Sequence, residues 1–181
     1  REEHVLAVHT EREDLHQVQL WDAERWKPLG PSVPYDPSGP AFLLAPDARF
    51  IVTWSTRGIE ILEPGTLATR WHFRSPSANV AYSAWAVDPH ARWLALATTD
   101  GAVSLVDPVT GRMRRLLPGP ASMTRWLQFA GDGGWLAAGS NDGSVWIWQR
   151  SDDFTVGRRL HIGTPANDMS VDPATGLVRV N

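Results

Sequence analysis

The chain has 181 residues, 43% of them hydrophobic and 20% charged, which is enough apolar material for a packed core and too much for a disordered segment. A formal net charge of −3 argues against a surface built to hold phosphate backbones or anionic lipid, so neither nucleic acid nor a membrane is an expected partner. With no cysteine there is no disulfide, thiolate metal cage or cysteine nucleophile, and a reducing, cytoplasmic setting is expected.

The N-terminal EEHVLAVHTERED lacks the order of a signal peptide, and no apolar run approaches the roughly 20 residues that span a bilayer. The chain opens on Arg1 inside a segment that already reads as a strand, so a piece of a longer protein is expected. Lys27 is the only lysine against many arginines, a bias that suits a GC-rich bacterial source.

In chain order, strand-like stretches and tight turns alternate, and no stretch of 11 or more residues sustains a helical apolar period. The first unit, about 1–40, carries QVQLWD from Gln17 after HTEREDLH (9–16), which reads as a lengthened, solvated hairpin loop. The second, 41–80, places Phe42 and Leu44 before Pro46, then FIVTW from Phe50 and GIEILE from Gly58. The third, 81–122, repeats this with Trp85 and Val87, Pro89, WLALAT from Trp93, a TTDG turn and AVSLVD from Ala102. The fourth, 123–164, has Leu127 and Phe129, Gly131, WLAAGS from Trp135, an SNDG turn and SVWIWQ from Ser144. An incomplete fifth, 165–181, holds Met169, Val171, Pro173 and Leu177.

Three columns therefore recur at one period of about 42 residues: Val18, Ile59, Val103 and Val145; Phe50, Trp93, Trp135 and Leu177; and the paired apolar positions that precede the Pro or Gly turns. Four strands per period of this length predict an all-β β-propeller, with about four four-stranded antiparallel blades forming part of a six- to eight-bladed ring. The count comes to about seventeen strands, fewer than a closed ring uses, so the remaining blades are expected from a preceding segment, another chain or a second copy. Because both faces of a blade are covered, Val145 and Ile147 should fill one inter-sheet space and Trp146 and Trp148 the other. The ten tryptophans should then serve mostly as packing between blades.

The QVQLWD and GSNDGSVWIWQ stretches resemble the third-strand region of the WD-repeat (WD40) β-propeller family, and the likeness covers nearly the whole chain. The resemblance implies a structural network joining a third-strand Trp, a second-strand Ser or Thr and a turn Asp: Trp148, Ser140 and Asp142 in one unit, Thr98 and Asp100 in the preceding one. The family's histidine has no counterpart, since Gly119-Pro120 stands where Gly-His is usual. The same resemblance puts the second-to-third-strand turns and the links into the first strands on one face, making Arg57, Tyr82, Asp100, Arg125, Asn141 and Asp142 candidate partner-binding positions. Asp100 and Asp142 are alternatively internal caps of their turns.

Catalytic signatures are missing. No GxSxG, P-loop or GxGxxG occurs, and the six histidines show no metal-ligand spacing. SNDGSVW resembles the Asp-box turn of glycosidase propellers, but its glycine falls one place early. Arginines gather on the fourth strands (Arg70, Arg74, Arg112, Arg114, Arg115, Arg158, Arg159), which reads as protection of exposed sheet edges more than as a basic belt. The expected function is a non-catalytic protein-interaction scaffold or sensor module, of the kind found at the C-terminus of bacterial signalling proteins. No cofactor or metal is implied; an enzyme or carbohydrate-binding propeller is the alternative.

Overall fold

The computed structural model describes residues 5–12, 15–34, 43–55, 58–163, 169–171 and 178–180. They fall into two compact units, Arg1–Arg74 and Ser75–Asn181.

In the first unit, β1 (Val5–Arg12) and β2 (Leu15–Asp22) form a long antiparallel hairpin. The far edge of β2 pairs with two short pieces, β3 (Lys27–Pro28) and β4 (Val33–Pro34). A proline in each piece withholds a ladder donor, which suits an edge strand broken in two. A second sheet runs in order β5 (Leu43–Leu44), β6 (Ile51–Ser55), β7 (Gly58–Leu62) and β8 (Thr69–Arg74). Leu20 of the first sheet packs with Ile51 and Leu62 of the second and with Leu67 of the turn between β7 and β8, and Val5 and Leu44 pack against them. The lengthened loop expected over HTEREDLH is corrected here. Glu11 pairs with His16 and Arg12 with Leu15, so the extra length lies in the strands; positions 13 and 14 lie outside the described residues.

The second unit holds two complete sheets. One has the order β9 (Tyr82–Val87), β10 (Leu94–Thr98), β11 (Val103–Val106), β12 (Met113–Leu117), and the other β13 (Thr124–Phe129), β14 (Trp135–Ser140), β15 (Ser144–Gln149), β16 (Gly157–His161). A two-stranded ladder, β17 (Met169–Val171) with β18 (Val178–Val180), follows. All paired strands are antiparallel, and a three-residue 3-10 turn at Arg150–Asp152 is the only helical element among the described residues.

The two complete sheets pack face to face. Ala84, Ala95, Ala97, Val103, Leu105 and Leu117 of one meet Leu127, Phe129, Leu136, Ala138 and Trp148 of the other. Glycines leave room for the tryptophan: a Cβ on Gly119 would lie 3.1 Å from its ring and one on Gly157 2.8 Å from its Nε1, a large-against-small packing. Trp148 is wholly buried, and removing a side chain of this size from water contributes roughly 4–6 kcal/mol at about 25 cal/mol per Å². Val145 lies on the opposite face with Trp126 and Ile147, as the strand period requires. The tryptophans are less uniform than expected: Trp148 alone is fully buried, whereas Trp26 is 71% and Trp71 39% exposed.

The repeat extends to backbone conformation. The turn between first and second strands closes with a left-handed residue at Ala48, Ala91 and Gly133, whose amides bond to the carbonyls of Ala45, Asp88 and Ala130. The turn after the third strand does so at Trp26, Leu67 and Gly111, bonded to Asp22, Glu63 and Asp107. Four of these six sites carry a Cβ in a region that glycine favours. The period thus dictates the conformation even where the local residue resists it.

Candidate interaction surface

The second-to-third-strand turns of the second unit share one construction. At Thr99–Ala102, Gly101 takes φ +94° and its amide donates to the Thr98 carbonyl; at Asn141–Gly143, Gly143 takes φ +74° and donates to Ser140. The aspartate of each turn accepts hydrogen bonds from inside it. Asp100 Oδ1 accepts from Thr98 Oγ1 at 2.5 Å and from the Ala102 amide at 3.4 Å. Asp142 Oδ1 accepts from the Ser144 amide at 2.9 Å and from Ser144 Oγ at 2.5 Å, while Arg159 stands 3.5 Å from Oδ2. The Thr98 hydroxyl holds Asp100, and the Ser144 hydroxyl Asp142, below the ordinary carboxylate range. Both are therefore anionic at neutral pH.

Backbone bonds tie these turns to the links entering the first strands. The Thr99 amide donates to Ala81 O, and the Ala81 amide to Thr99 Oγ1. The Asn141 amide donates to Met123 O, and Ser140 Oγ to the carbonyls of Ser122 and Met123. A Cβ on Gly101 would lie 2.5 Å from the Pro120 oxygen and 2.6 Å from that of Ser122, so the turn of one sheet abuts the link into the next. Tyr82, Asp100, Arg125, Asn141 and Asp142 consequently sit at one end of this unit. Arg57 lies outside the described residues. Tyr82 is half-buried, and burial raises its phenol above the ordinary value, keeping the O–H as a donor. Arg125 Nε donates to Asn141 Oδ1 at 2.6 Å.

Of the expected grouping of Ser140, Asp142 and Trp148, the two turn-side members lie together and the Trp148 indole N–H is directed elsewhere. The single indole N–H of Trp148 donates to the Pro118 carbonyl at 2.7 Å and so is not spent on Ser140. Its ring stacks on Trp146, centroids 6.3 Å apart. Asp142 is linked to Ser140 and Arg159, and to Ser144, whose hydroxyl in turn accepts from the Trp146 indole N–H at 3.2 Å. Only part of this was visible in the sequence: Ser144 and Trp146 lie two apart on β15 and share a face, whereas Asp142 reaches Ser144 from the turn before the strand.

At the opposite end lies a cluster that sequence reasoning missed. The Asp88 carboxylate is fully buried, with Arg150 3.0 Å away across the sheet boundary and the Arg92 guanidinium at 3.5 Å, while the Arg92 amide donates to it at 3.2 Å. His90 Nδ1 stands 3.8 Å off. Nothing in the sequence pairs residues 62 positions apart. Arg70 and Arg74 lie on the edge strand β8, Arg114 and Arg115 on β12, and Arg158 and Arg159 on β16, while Arg112 immediately precedes β12. Several are engaged: Arg70 with Glu63, Arg115 with Asp153, and Arg114 over the Trp93 ring.

In the first unit, an open pocket of about 470 Å³ is lined by Val5, Leu6, Glu24, Leu44, Ala45 and Pro46 among others. Among the described residues no group of three or more His, Asp or Glu is placed to hold a metal ion, and no helix is long and apolar enough to cross a membrane.

No family model matches the sequence, and no curated protein does. Solved structures similar to this one include the crystal structure of a mitotic checkpoint complex, at 19% identity and a TM-score of 0.68, covering 97% of this chain and 52% of that one. Another is the hydrazine synthase of Kuenenia stuttgartiensis, at 13% identity and a TM-score of 0.60, covering 74% of this chain and 38% of that one. The chain thus spans about half the length of the first and less of the second. Together with the four four-stranded antiparallel sheets, these likenesses show an all-β fold of the β-propeller type.

Proposed function

We propose that the chain is a non-catalytic protein-interaction platform, part of a WD-repeat-like propeller of six to eight blades. Its units, about 1–40, 41–80, 81–122, 123–164 and the incomplete 165–181, are completed by blades from the same or another chain. In this reading it is the sensor or scaffold portion of a larger cytoplasmic bacterial regulatory protein, and its partner is a protein, neither nucleic acid nor a membrane. The observation that carries the proposal is the locked end of the second unit. Short turns and links are bonded to each other through backbone, so the side chains they present lose little freedom on contact.

An enzymatic reading can cite the likeness to a hydrazine synthase, but the residues favour it less. A propeller glycosidase needs one carboxyl held protonated, whereas Asp100 and Asp142 are both held anionic by their own turns.

The test is photo-crosslinking in the native cell. A crosslinking amino acid replaces Thr99 in a turn of the locked end, and in a second variant the exposed Asp132 at the opposite end. A discrete protein adduct from position 99 and not from 132 is expected. Equal capture at both positions, or none at either, would overturn the proposal.

A further inference from the structure

The first strands of the two complete sheets carry the same irregularity at the locked end. In β9, Thr98 pairs with Tyr82 and Ala97 with Ala84, so Ser83 is passed over. In β13, Ser140 pairs with Thr124 and Gly139 with Trp126, so Arg125 is passed over. Each is a β-bulge, a device that turns a side chain out of the ladder and recurs beside binding sites. The two bulges are filled differently. Ser83 holds a buried hydroxyl; Arg125 holds an exposed guanidinium.

That guanidinium is oriented. Its Nε donates to Asn141 Oδ1, and Asn141 is itself fixed by its amide bond to Met123 O. With Nε spent, the end-on pair of N–H groups on Nη1 and Nη2 remains, a planar fork that matches a carboxylate. Arg125 has no acidic partner among the described residues. The other charges at this end are committed: Asp142 to Ser144 and Arg159, Asp100 to Thr98 and the Ala102 amide.

We infer that Arg125, held by Asn141, is an anchor for a carboxylate side chain of the partner, an Asp or Glu in an exposed segment. The inference rests on the interaction-platform reading and adds the partner's chemistry to it. A carboxylate suits the site better than a phosphate. A single guanidinium stands at the same end as two anionic aspartates, so a group of nearly two negative charges meets more repulsion and finds no second free cation at this end among the described residues.

The probe is a library of random peptides, displayed and selected on the intact 181-residue chain. Enriched peptides should share an acidic residue. Changing that residue to its amide should weaken binding about tenfold on the unchanged chain and leave it unaltered on Arg125→Ala, the signature of a direct pair in a double-mutant cycle. Arg125→Lys should not restore binding, because a point charge lacks the fork. Asn141→Ala, which keeps the charge and frees its orientation, should weaken binding severalfold, and Thr99→Ala in the neighbouring turn should not. A phosphoserine in place of the acid should bind no better.

Peptides that bind with the acid dispensable, or equally well to Arg125→Ala, overturn the anchor and leave the platform reading standing. Peptides that bind through phosphoserine and not through Asp or Glu overturn the carboxylate assignment. Failure to enrich any peptide counts against anchor and platform together.

Discussion

Replacing Asp88 tests how the two sheets of the second unit are held together. Its carboxylate is fully buried, and its chief partner Arg150 is attached to the other sheet with a side chain 29% exposed. Asp88→Ala leaves that guanidinium, and the Arg92 amide, facing a space with no acceptor. Breaking a buried pair from one side costs about 3–5 kcal/mol. Water can reach Arg150, so the lower end applies, about 3 kcal/mol. In a protein of this length about 1 kcal/mol moves the melting temperature by roughly 2–4 °C, so a fall of about 6–12 °C is expected. Asp88→Asn should cost less, since an amide oxygen still accepts from Arg150, but its NH2 then faces donors of Arg92. Arg150→Ala should cost a similar amount to Asp88→Ala, and the double variant little more than either, because each single change already breaks the pair. The assay is thermal melting followed by circular dichroism on the unchanged chain and all four variants. Losses that simply add, or a shift below about 2 °C for Asp88→Ala, would refute the bridge.

Gly101→Ala should destabilise by about 3 kcal/mol or more, read as a lower melting temperature, since a Cβ there meets the Pro120 oxygen at 2.5 Å in a left-handed conformation that alanine resists. Ala48→Gly should gain about 0.5 kcal/mol by relieving its left-handed φ of 55°, and an unchanged or lower melting point would contradict that strain. Asp100 and Asp142 have folded pKa values below the ordinary 3.8, so their contribution is full above that value and is lost as pH falls through the folded values. Acid titration of stability should therefore show a loss below about pH 4, smaller in Asp142→Asn; an unchanged titration in that variant would count against the Ser144 bonds.

The parts of the fold written in the sequence are those governed by period. Val18, Ile59, Val103 and Val145 fall on β2, β7, β11 and β15, and the columns opened by Phe50, Trp93 and Trp135 lead into β6, β10 and β14. A buried strand in a repeated sheet leaves this trace because each position must be filled in every unit. Contacts between units leave none. The bond from Trp148 to the Pro118 carbonyl, and the bridge from Asp88 to Arg150, depend on the packing of one sheet against another and on no local pattern. The histidine-rich stretch was misread for the opposite reason: charged residues suggested a loop, while pairing across the β1–β2 hairpin kept it extended. At the candidate surface, the turn residues were visible, but the bulge that frees Arg125 requires knowing which residue of β14 each residue of β13 faces.

The central claim is that the sheets are successive copies of one unit, and an experimental structure of the chain tests it most directly. The account predicts that β9–β12 and β13–β16 superpose strand for strand, with Asp88 over Ala130, Ala91 over Gly133, Gly101 over Gly143 and Asp107 over Gln149. A structure in which those pairs fall at unrelated places, or in which strands from the two sheets interleave, would contradict it.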